Sequence, residues 1–165
     1  MLWIAVDFPC LPLEAFPLAS ACAEAWAIAD GADVLFCNDQ ARALGVHEGM
    51  RLSAACALAP LLNHRLRDAA AEAATLDTLA AWAVQFTPNV SLEPPRALLL
   101  DIEGSLRLFG GIRTILQALK RGLDGMGYSA TIACAPTATA ALLLARAGVQ
   151  KIVNCKRALE AIVAT

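Results

Sequence analysis

Arg96-Ala97-Leu98-Leu99-Leu100-Asp101-Ile102-Glu103 is the stretch of sequence that decides the fold. Three leucines follow one another in its middle, so a strand formed here is apolar on both faces, as strands in the interior of a sheet are. A second apolar run covers residues 2–6 and ends at Asp7. These two runs predict two buried strands that lie far apart along the chain.

The chain around these strands predicts a βαββαβ order. The further elements are a helix from Ala69 to about Phe86 with Asp68 as its N-cap, a strand at 89–92, a helix at 112–123, a strand at 128–134, a helix from Pro136 to about Ala147 and the start of another helix at 156–163. This order is that of the ferredoxin-like split βαβ motif, which is a mixed α/β (α+β) fold. We expect the helices on one face of the sheet.

Residues 11–67 fall between the first strand and the first helix and predict a small mixed lobe. A hairpin turns at Asp30-Gly31-Ala32, and Ser53 is the predicted N-cap of a short helix. Arg65 and Arg67, two apart on a short polar strand, form a small basic face. The predicted domains are therefore a sheet domain from residues 1–10 and 68–165, with the lobe 11–67 inserted after the first strand.

The composition excludes several classes of protein. Of 165 residues, 58% are hydrophobic and 17% are charged, which permits a large core and excludes a disordered chain. Polar and turn residues interrupt the longest uncharged window, so no membrane span is expected, and the first apolar run lacks the basic flank of a secretory signal. The net charge of −2 lacks the basic excess of proteins that grip nucleic acid alone. A nucleic-acid role would be weak, shared with a partner or carried by another segment.

The six cysteines do not form a metal or redox motif. No two of them lie within three residues of each other, so there is no CxxC pair. Most stand in apolar surroundings, which predicts reduced, buried thiols in a cytoplasmic protein. The sequence also lacks the phosphate-binding, nucleophile-elbow and HExxH motifs of common enzyme classes.

Five short segments carry a family resemblance. They are Ile4-Ala5-Val6-Asp7-Phe8, Ala41-Arg42-Ala43-Leu44-Gly45-Val46-His47-Glu48-Gly49-Met50, Leu100-Asp101-Ile102, Leu108-Phe109-Gly110-Gly111, and the strand and helix at 128–148. In this order they resemble the Y-family (translesion) DNA polymerases and, within that family, the ImuB-like branch, which has lost polymerase residues. The resemblance implies a palm formed by residues 1–10 and 68–165, a fingers lobe formed by 11–67, and the beginning of a thumb at the end of the chain.

The resemblance also implies which site residues remain. Asp7 matches the first metal-binding aspartate, but Arg96 and Ala97 stand where the family has an Asp-Glu pair. Arg42 matches an arginine that contacts the incoming triphosphate, while Asp39 replaces the tyrosine expected nearby. Two Mg²⁺ ions need clustered carboxylates, so we expect no catalytic residues, no metal site and no cofactor. Mg²⁺ would bind only in an active polymerase.

Other positions complete this comparison. The family's phosphate-binding lysine falls on Leu142. Lys151, Lys156 and Arg157 lie where a thumb would begin and are candidate nucleic-acid contacts. An aromatic residue that screens the sugar falls on Leu11 or Pro12.

Each remnant also has a purely structural interpretation. Asp7 would cap the loop after its strand, and Arg42 would pair with Asp39 or Glu48 on a short helix. Arg96 would be a solvated residue at the start of a strand, or a contact to DNA or to a partner. The sequence leaves these alternatives open, except that Asp7 and Arg96 are expected to face each other across neighbouring strands.

The resemblance implies a non-catalytic adaptor in DNA-damage-induced mutagenesis (the SOS response) and translesion synthesis. Its partners would be a sliding clamp, a RecA-like accessory protein and a separate error-prone polymerase, with DNA bound weakly or through domains outside this chain, and with no membrane. Two alternatives remain at this point. The first is an active error-prone polymerase, and the second is a ligand-binding ferredoxin-like regulatory domain.

Overall fold

The structure is a computed structural model that describes residues 1–16 and 24–149. The chain divides into two compact units, which we call the palm unit (Met1–Pro9 together with the chain from Ala73 onward) and the fingers unit (Cys10–Glu72). The sequence placed the second boundary at 67/68, whereas the structure places it inside a helix that begins at Ala69. The helix predicted at 156–163 lies outside the described residues.

Strands and helices follow the predicted order, with ends that differ by a few residues. They are β1 (Trp3–Asp7), α1 (Leu11–Glu14), β2 (Trp26–Asp30), β3 (Asp33–Cys37), α2 (Asp39–Ala43), α3 (Leu52–Leu58), β4 (Asn63–Leu66), α4 (Ala69–Ala83), β5 (Val90–Glu93), β6 (Ala97–Asp101), α5 (Ile112–Met126), β7 (Thr131–Ala135) and α6 (Ala138–Arg146). In the described part of the palm unit the strand order is β5-β6-β1-β7, and each neighbouring pair is antiparallel. The mixed α/β, ferredoxin-like fold is thus confirmed, with β1 in the interior of the sheet.

The two faces of the palm sheet are covered by different helices. Side chains alternate between the faces of a strand, and the face that carries Ala5 and Leu99 packs against α6. The opposite face carries Ile4 and Leu100, which are also fully buried, so this face is covered as well. The prediction of helices on one face was wrong for α6, because small side chains such as Ala133 let this alanine-rich helix pack closely on the other face.

The fingers unit has a small sheet of its own. β2 lies between β3 and β4, antiparallel to the first and parallel to the second. The β2–β3 hairpin turns at Gly31, whose φ of 61° is a conformation that glycine adopts without steric cost. Ala41 of α2 and Ala55 of α3 are buried in one cluster with Ala27 and Val34 of the sheet.

Interactions of the capping residue fix where α3 and α4 begin. The predicted N-cap Asp68 is confirmed, because its carboxylate accepts a backbone N–H of α4 at 2.9 Å. Ser53 is not the N-cap of α3, which begins one residue earlier at Leu52 with Arg51 in the cap position. Arg51 is held there by a β-bridge to Asp33 and an ion pair to its carboxylate at 3.4 Å.

The helix α6 begins two residues later than predicted. Thr137 is its N-cap, and the Thr137 hydroxyl oxygen accepts the N–H of Ala140 at 3.3 Å. Pro136 therefore precedes the helix. Proline is well suited to that place, because it donates no N–H to the cap.

The cysteines of the described residues form no disulfide bonds. Cys37 and Cys134 are buried, and Cys10 and Cys56 are half-buried. Burial raises the pKa of the Cys134 thiol to about 12, so this side chain packs as an inert apolar group. Within residues 1–16 and 24–149, no helix has the length and the apolar character needed to cross a bilayer.

Leu100 lies in the middle of the palm sheet, and we expect its truncation to destabilise the fold. It is 0% exposed on the interior strand β6, so Leu100→Ala should lower the free energy of unfolding by about 2–5 kcal/mol. Leu108→Ala is the control, because Leu108 is 83% exposed and its loss should cost less than ~0.5 kcal/mol. Chemical denaturation of both variants measures the difference. Equal losses would mean that β6 is not central.

Two glycines of α5 should respond to alanine in opposite directions. A Cβ at Gly122 would stand 2.2 Å from the nearest indole carbon of Trp82, whose ring packs on Phe86 at 5.3 Å and cannot easily move. A Cβ at Gly125 would meet nothing within 4 Å. Gly122→Ala should therefore lower the melting temperature, whereas Gly125→Ala should raise stability by up to ~1 kcal/mol. Thermal unfolding of both variants tests the close contact between α4 and α5.

Candidate functional site

Asp7 is the last residue of β1, and its carboxylate is buried. In the sheet register it lies between Ala97 of β6 and Thr131 of β7, and its side chain is 2% exposed. The Arg96 Nε donates to the Asp7 carboxylate at 3.2 Å. The Phe8 N–H donates to the carbonyl of Arg96 at 2.9 Å, which fixes Arg96 beside the end of β1. The Asp7–Arg96 pair expected from the sequence is therefore present.

The electrostatics of Asp7 are a balance of burial and pairing. Burial raises the pKa of the Asp7 carboxyl above its usual value, although Arg96 and then Arg146 act to lower it. Burial outweighs the two arginines because a carboxylate removed from water loses most of its hydration. The carboxyl of Asp7 is thus shielded from water, and the two guanidinium groups partly offset the resulting rise in its pKa.

The residues of this site do not fit a pair of Mg²⁺ ions. Ala97, directly opposite Asp7, offers no ligand atom, and the Arg96 guanidinium occupies one carboxylate oxygen of Asp7. Across the described residues, no three metal-ligating side chains cluster together. A two-metal centre needs several oxygens to replace the water shell of each ion, and one paired aspartate cannot supply them.

Arg42 of the fingers unit is held by carboxylates of its own unit. Asn38 starts α2, because its side-chain oxygen accepts the N–H groups of Ala41 and Trp26 at 3.0 Å. This start presents Arg42, whose guanidinium lies 3.0 Å from Asp39 and 3.0 Å from Glu48. Arg42 thus pairs with Asp39 and Glu48, as its structural interpretation expects. The three side chains together carry a net charge of −1.

Other residues singled out from the sequence have structural partners as well. Arg67 forms a two-point ion pair with the buried Glu72, with both distances at 2.9 Å, so the predicted basic face is wrong for this residue. Arg65 lies over the ring of Phe16 at 5.2 Å. Leu142 is on α6 and packs against its core cluster. Lys151, Lys156 and Arg157 lie outside the described residues.

Sequence reasoning missed Arg146 as a site residue. β7 runs antiparallel to β1, and α6 follows β7 and packs back over β1. Arg146, the last residue of α6, therefore comes to the same end of the sheet as Asp7. The position of Arg146 could have been found from the element order, in which a strand, a short turn and a helix of nine residues follow one another. Such a helix is ~13 Å long, about the length of the strand that it runs back over, so its last residue returns to the start of that strand.

The model of the impB/mucB/samB family matches residues 17–146. The chain belongs to the impB/mucB/samB family. The resemblance to Y-family polymerases read from the sequence is thus confirmed, and the match covers most of both units of this family member.

Two curated relatives of this impB/mucB/samB protein carry the name "Protein ImuB". Both are from Caulobacter vibrioides, one from strain NA1000 / CB15N and one from strain ATCC 19089 / CIP 103742 / CB 15, and each is 39% identical over 105 residues, or 64% of this chain. The same residues cover 23% of each relative, so the chain spans about a quarter of the length of the curated proteins it matches.

Solved structures similar to this impB/mucB/samB chain are polymerases of the same fold. A post-insertion binary complex of Dbh DNA polymerase superposes with a TM-score of 0.78 at 16% identity, over 99% of this chain and 51% of that one. A Dbh ternary complex gives 0.76 at 18% identity, over 93% and 48%. DinB from Sulfolobus solfataricus gives 0.66 at 20% identity, over 83% and 42%. At these identities the likeness concerns the fold.

The raised pKa of Asp7 predicts a pH-dependent stability. Because the folded state holds this proton more tightly than the unfolded state, stability falls as the pH rises through the folded pKa. Asp7→Asn, which stays neutral, should match the wild type at low pH and be more stable above that pKa. Thermal unfolding from about pH 3 to about pH 8 covers the window.

The matched control is Asp124→Asn, which removes an exposed carboxylate paired with Lys120. It should give no gain at neutral pH. If Asp7→Asn were instead less stable than the wild type at neutral pH, the ion pair with Arg96 would stabilise the fold by more than burial of the carboxylate costs.

Proposed function

We propose that the chain is the fingers and palm of a non-catalytic Y-family homologue that acts as an adaptor in DNA-damage-induced translesion synthesis. The observation that carries this proposal is the Asp7–Arg96 pair, with Arg96 Nε at 3.2 Å from the carboxylate. It places a permanent cation at the position that an active relative would need for metal-binding carboxylates. An arginine cannot be deprotonated in a protein, so this charge persists at any usable pH.

The chemistry of nucleotide transfer supports the same conclusion. In-line displacement at a phosphate needs two metal ions that stabilise the attacking and the leaving oxygen together. Asp7 alone, already paired, is a poor ligand set for either ion. The residues described around Asp7 can hold the end of β1 in place and keep it dry, but none of them is placed to activate a primer hydroxyl.

The fingers unit supports a loss of nucleotide handling. A triphosphate carries several negative charges, and Arg42 meets it together with Asp39 and Glu48, both within 3.0 Å of the guanidinium. The net charge of this cluster repels phosphate instead of attracting it. Burial acts to lower the pKa of Arg42, but hydrogen bonds to Glu48 and Asp39 raise it above its usual value.

The adaptor role concerns the longer protein to which such a chain belongs. The relatives named ImuB are about four times as long as the matched segment, and we propose that their further segments hold DNA and the partners. These partners are a sliding clamp, a RecA-like accessory protein and a separate error-prone polymerase. The net charge of −2 agrees with a palm and fingers that do not grip DNA alone.

Primer extension decides between the adaptor and an active polymerase. The full-length protein, with Mg²⁺ or Mn²⁺, a primer–template and all four deoxynucleoside triphosphates, should add no nucleotide. In cells, Asp7→Ala should leave damage-induced mutagenesis largely intact, because no catalysis depends on this carboxylate. Extension by the unmodified protein that Asp7→Ala abolishes would overturn the adaptor and establish the polymerase.

Binding of Mg²⁺ gives an independent prediction. The melting temperature of the full-length protein should not rise with Mg²⁺ beyond the effect of matched ionic strength. The double variant Arg96→Asp with Ala97→Glu restores three carboxylates at the end of β1 and should gain a Mg²⁺-dependent rise without gaining primer extension. A Mg²⁺-dependent rise in the unmodified protein that Asp7→Asn removes would contradict the proposal.

A further inference from the structure

Two arginines lie at the same end of the palm sheet as Asp7, and their combined charge exceeds that of its carboxylate. Arg96 contacts the carboxylate through Nε alone, and Arg146 reaches the same end of the sheet from the last turn of α6. Two guanidinium groups and one carboxylate leave a net charge of +1. This charge lies where β1 ends, beside the hydroxyl-bearing Thr131 of β7.

Both guanidinium groups, those of Arg96 and Arg146, have N–H donors that a ligand could reach. The Arg96 side chain is 39% exposed, and among the described residues no hydrogen bond is recorded for its two terminal nitrogens. Arg146 is exposed and forms no ion pair closer than 4 Å with another described side chain. Guanidinium nitrogens form a planar fork that matches the oxygens of a phosphate group.

We propose that Arg96 and Arg146 form a phosphate-binding subsite that takes a phosphodiester of a DNA backbone without any metal ion. The net charge of +1 equals the single negative charge of a phosphodiester, whereas a triphosphate carries several. Asp7 engages Arg96 through Nε, and the two terminal nitrogens of Arg96 make no hydrogen bond to another described residue.

One further acid belongs to the surroundings of this subsite. Glu93 of β5 pairs in register with Ala97, so it lies on the same face as Asp7 but two strands away. Strands are ~4.8 Å apart, which puts roughly 10 Å between the two backbones. Arg96 bonds to Asp7 directly, whereas Glu93 lies two strands away from Asp7, so the excess of positive charge remains on the β1 side.

The alternative role of Arg146 is structural. A cation in the last turn of a helix interacts favourably with the helix dipole, and an arginine beside a buried acid stabilises it. Either effect would change the stability of the fold without changing DNA binding. The test therefore needs a binding readout that a purely structural residue would not move.

The experiment measures the salt dependence of DNA binding by the full-length protein in EDTA. A fluorescein-labelled primer–template is titrated by anisotropy at several salt concentrations for the wild type and for Arg146→Gln, Arg146→Lys and the control Arg113→Gln. Each lost phosphate contact should reduce the slope of log K against log salt by about 0.9 on duplex DNA. Arg146→Gln should show this loss with an affinity about fivefold lower, and Arg146→Lys should retain the wild-type slope.

Arg113→Gln removes an equal charge from an exposed position on α5 and should leave the slope unchanged. Equal slopes for Arg146→Gln and Arg113→Gln, with both variants folded by circular dichroism, would overturn the subsite. A wild-type slope that falls when Mg²⁺ is removed would overturn it as well.

A second experiment asks whether the phosphate that binds belongs to DNA or to a small molecule. The melting temperature is measured in EDTA with a deoxynucleoside triphosphate and with inorganic phosphate. Stabilisation of the wild type by triphosphate alone, with DNA binding unaffected by Arg146→Gln, would refute the backbone assignment.

The subsite does not depend on the adaptor role. Both proposals start from the Asp7–Arg96 pair, but the subsite claims that two arginines bind a phosphodiester, whereas the adaptor role claims that no nucleotide is transferred. Primer extension tests the second and leaves the salt slopes untouched, so either result can fail without the other.

Discussion

The palm unit depends on the pairing of β1 with a strand on each side. β6 and β7 both run antiparallel to it, and five consecutive residues of β1 are in register with each. Since a strand in the interior of a sheet has no free edge, residues 3–7 cannot be satisfied by neighbours in sequence. The whole fingers unit must then be an excursion of the chain between β1 and α4, which is how the structure arranges it.

The same register decides the chemistry at the end of β1. Whatever residue stands at position 97 lies opposite Asp7, and whatever precedes it is brought close by the Phe8 N–H bond to the carbonyl of Arg96. A scaffold with this pairing can present a metal centre or an ion pair with no change in the backbone. Buried ion pairs contribute little net stability, because desolvation offsets attraction, and the raised pKa of Asp7 follows from that balance.

Much of this arrangement could be predicted from the sequence, and the rest could not for physical reasons. Leu98-Leu99-Leu100 identified the interior strand, and the expected pairing of this strand with the first one brought Arg96 to Asp7. The side of the sheet on which α6 packs could not be predicted, because its alanines fit either face. Arg146 was missed for the same reason, since its approach to the end of β1 depends on the side on which α6 packs. Ser53 was predicted as a cap because the bridge between Arg51 and Asp33 is not visible in local sequence.

The interior position of β1 has a consequence for synthesis on the ribosome. Residues 3–7 are made early, but their second partner strand ends at Ala135. At ~5–20 residues per second, roughly 6–26 s pass before that strand has been translated. During this interval an apolar segment with unsatisfied backbone groups is open to other chains, and its partners in the native fold have large sequence separation, which slows folding. The second partner of β1 is thus missing until residue 135 has been translated, and codon changes that slow translation between residues 8 and 135 would lengthen that exposure.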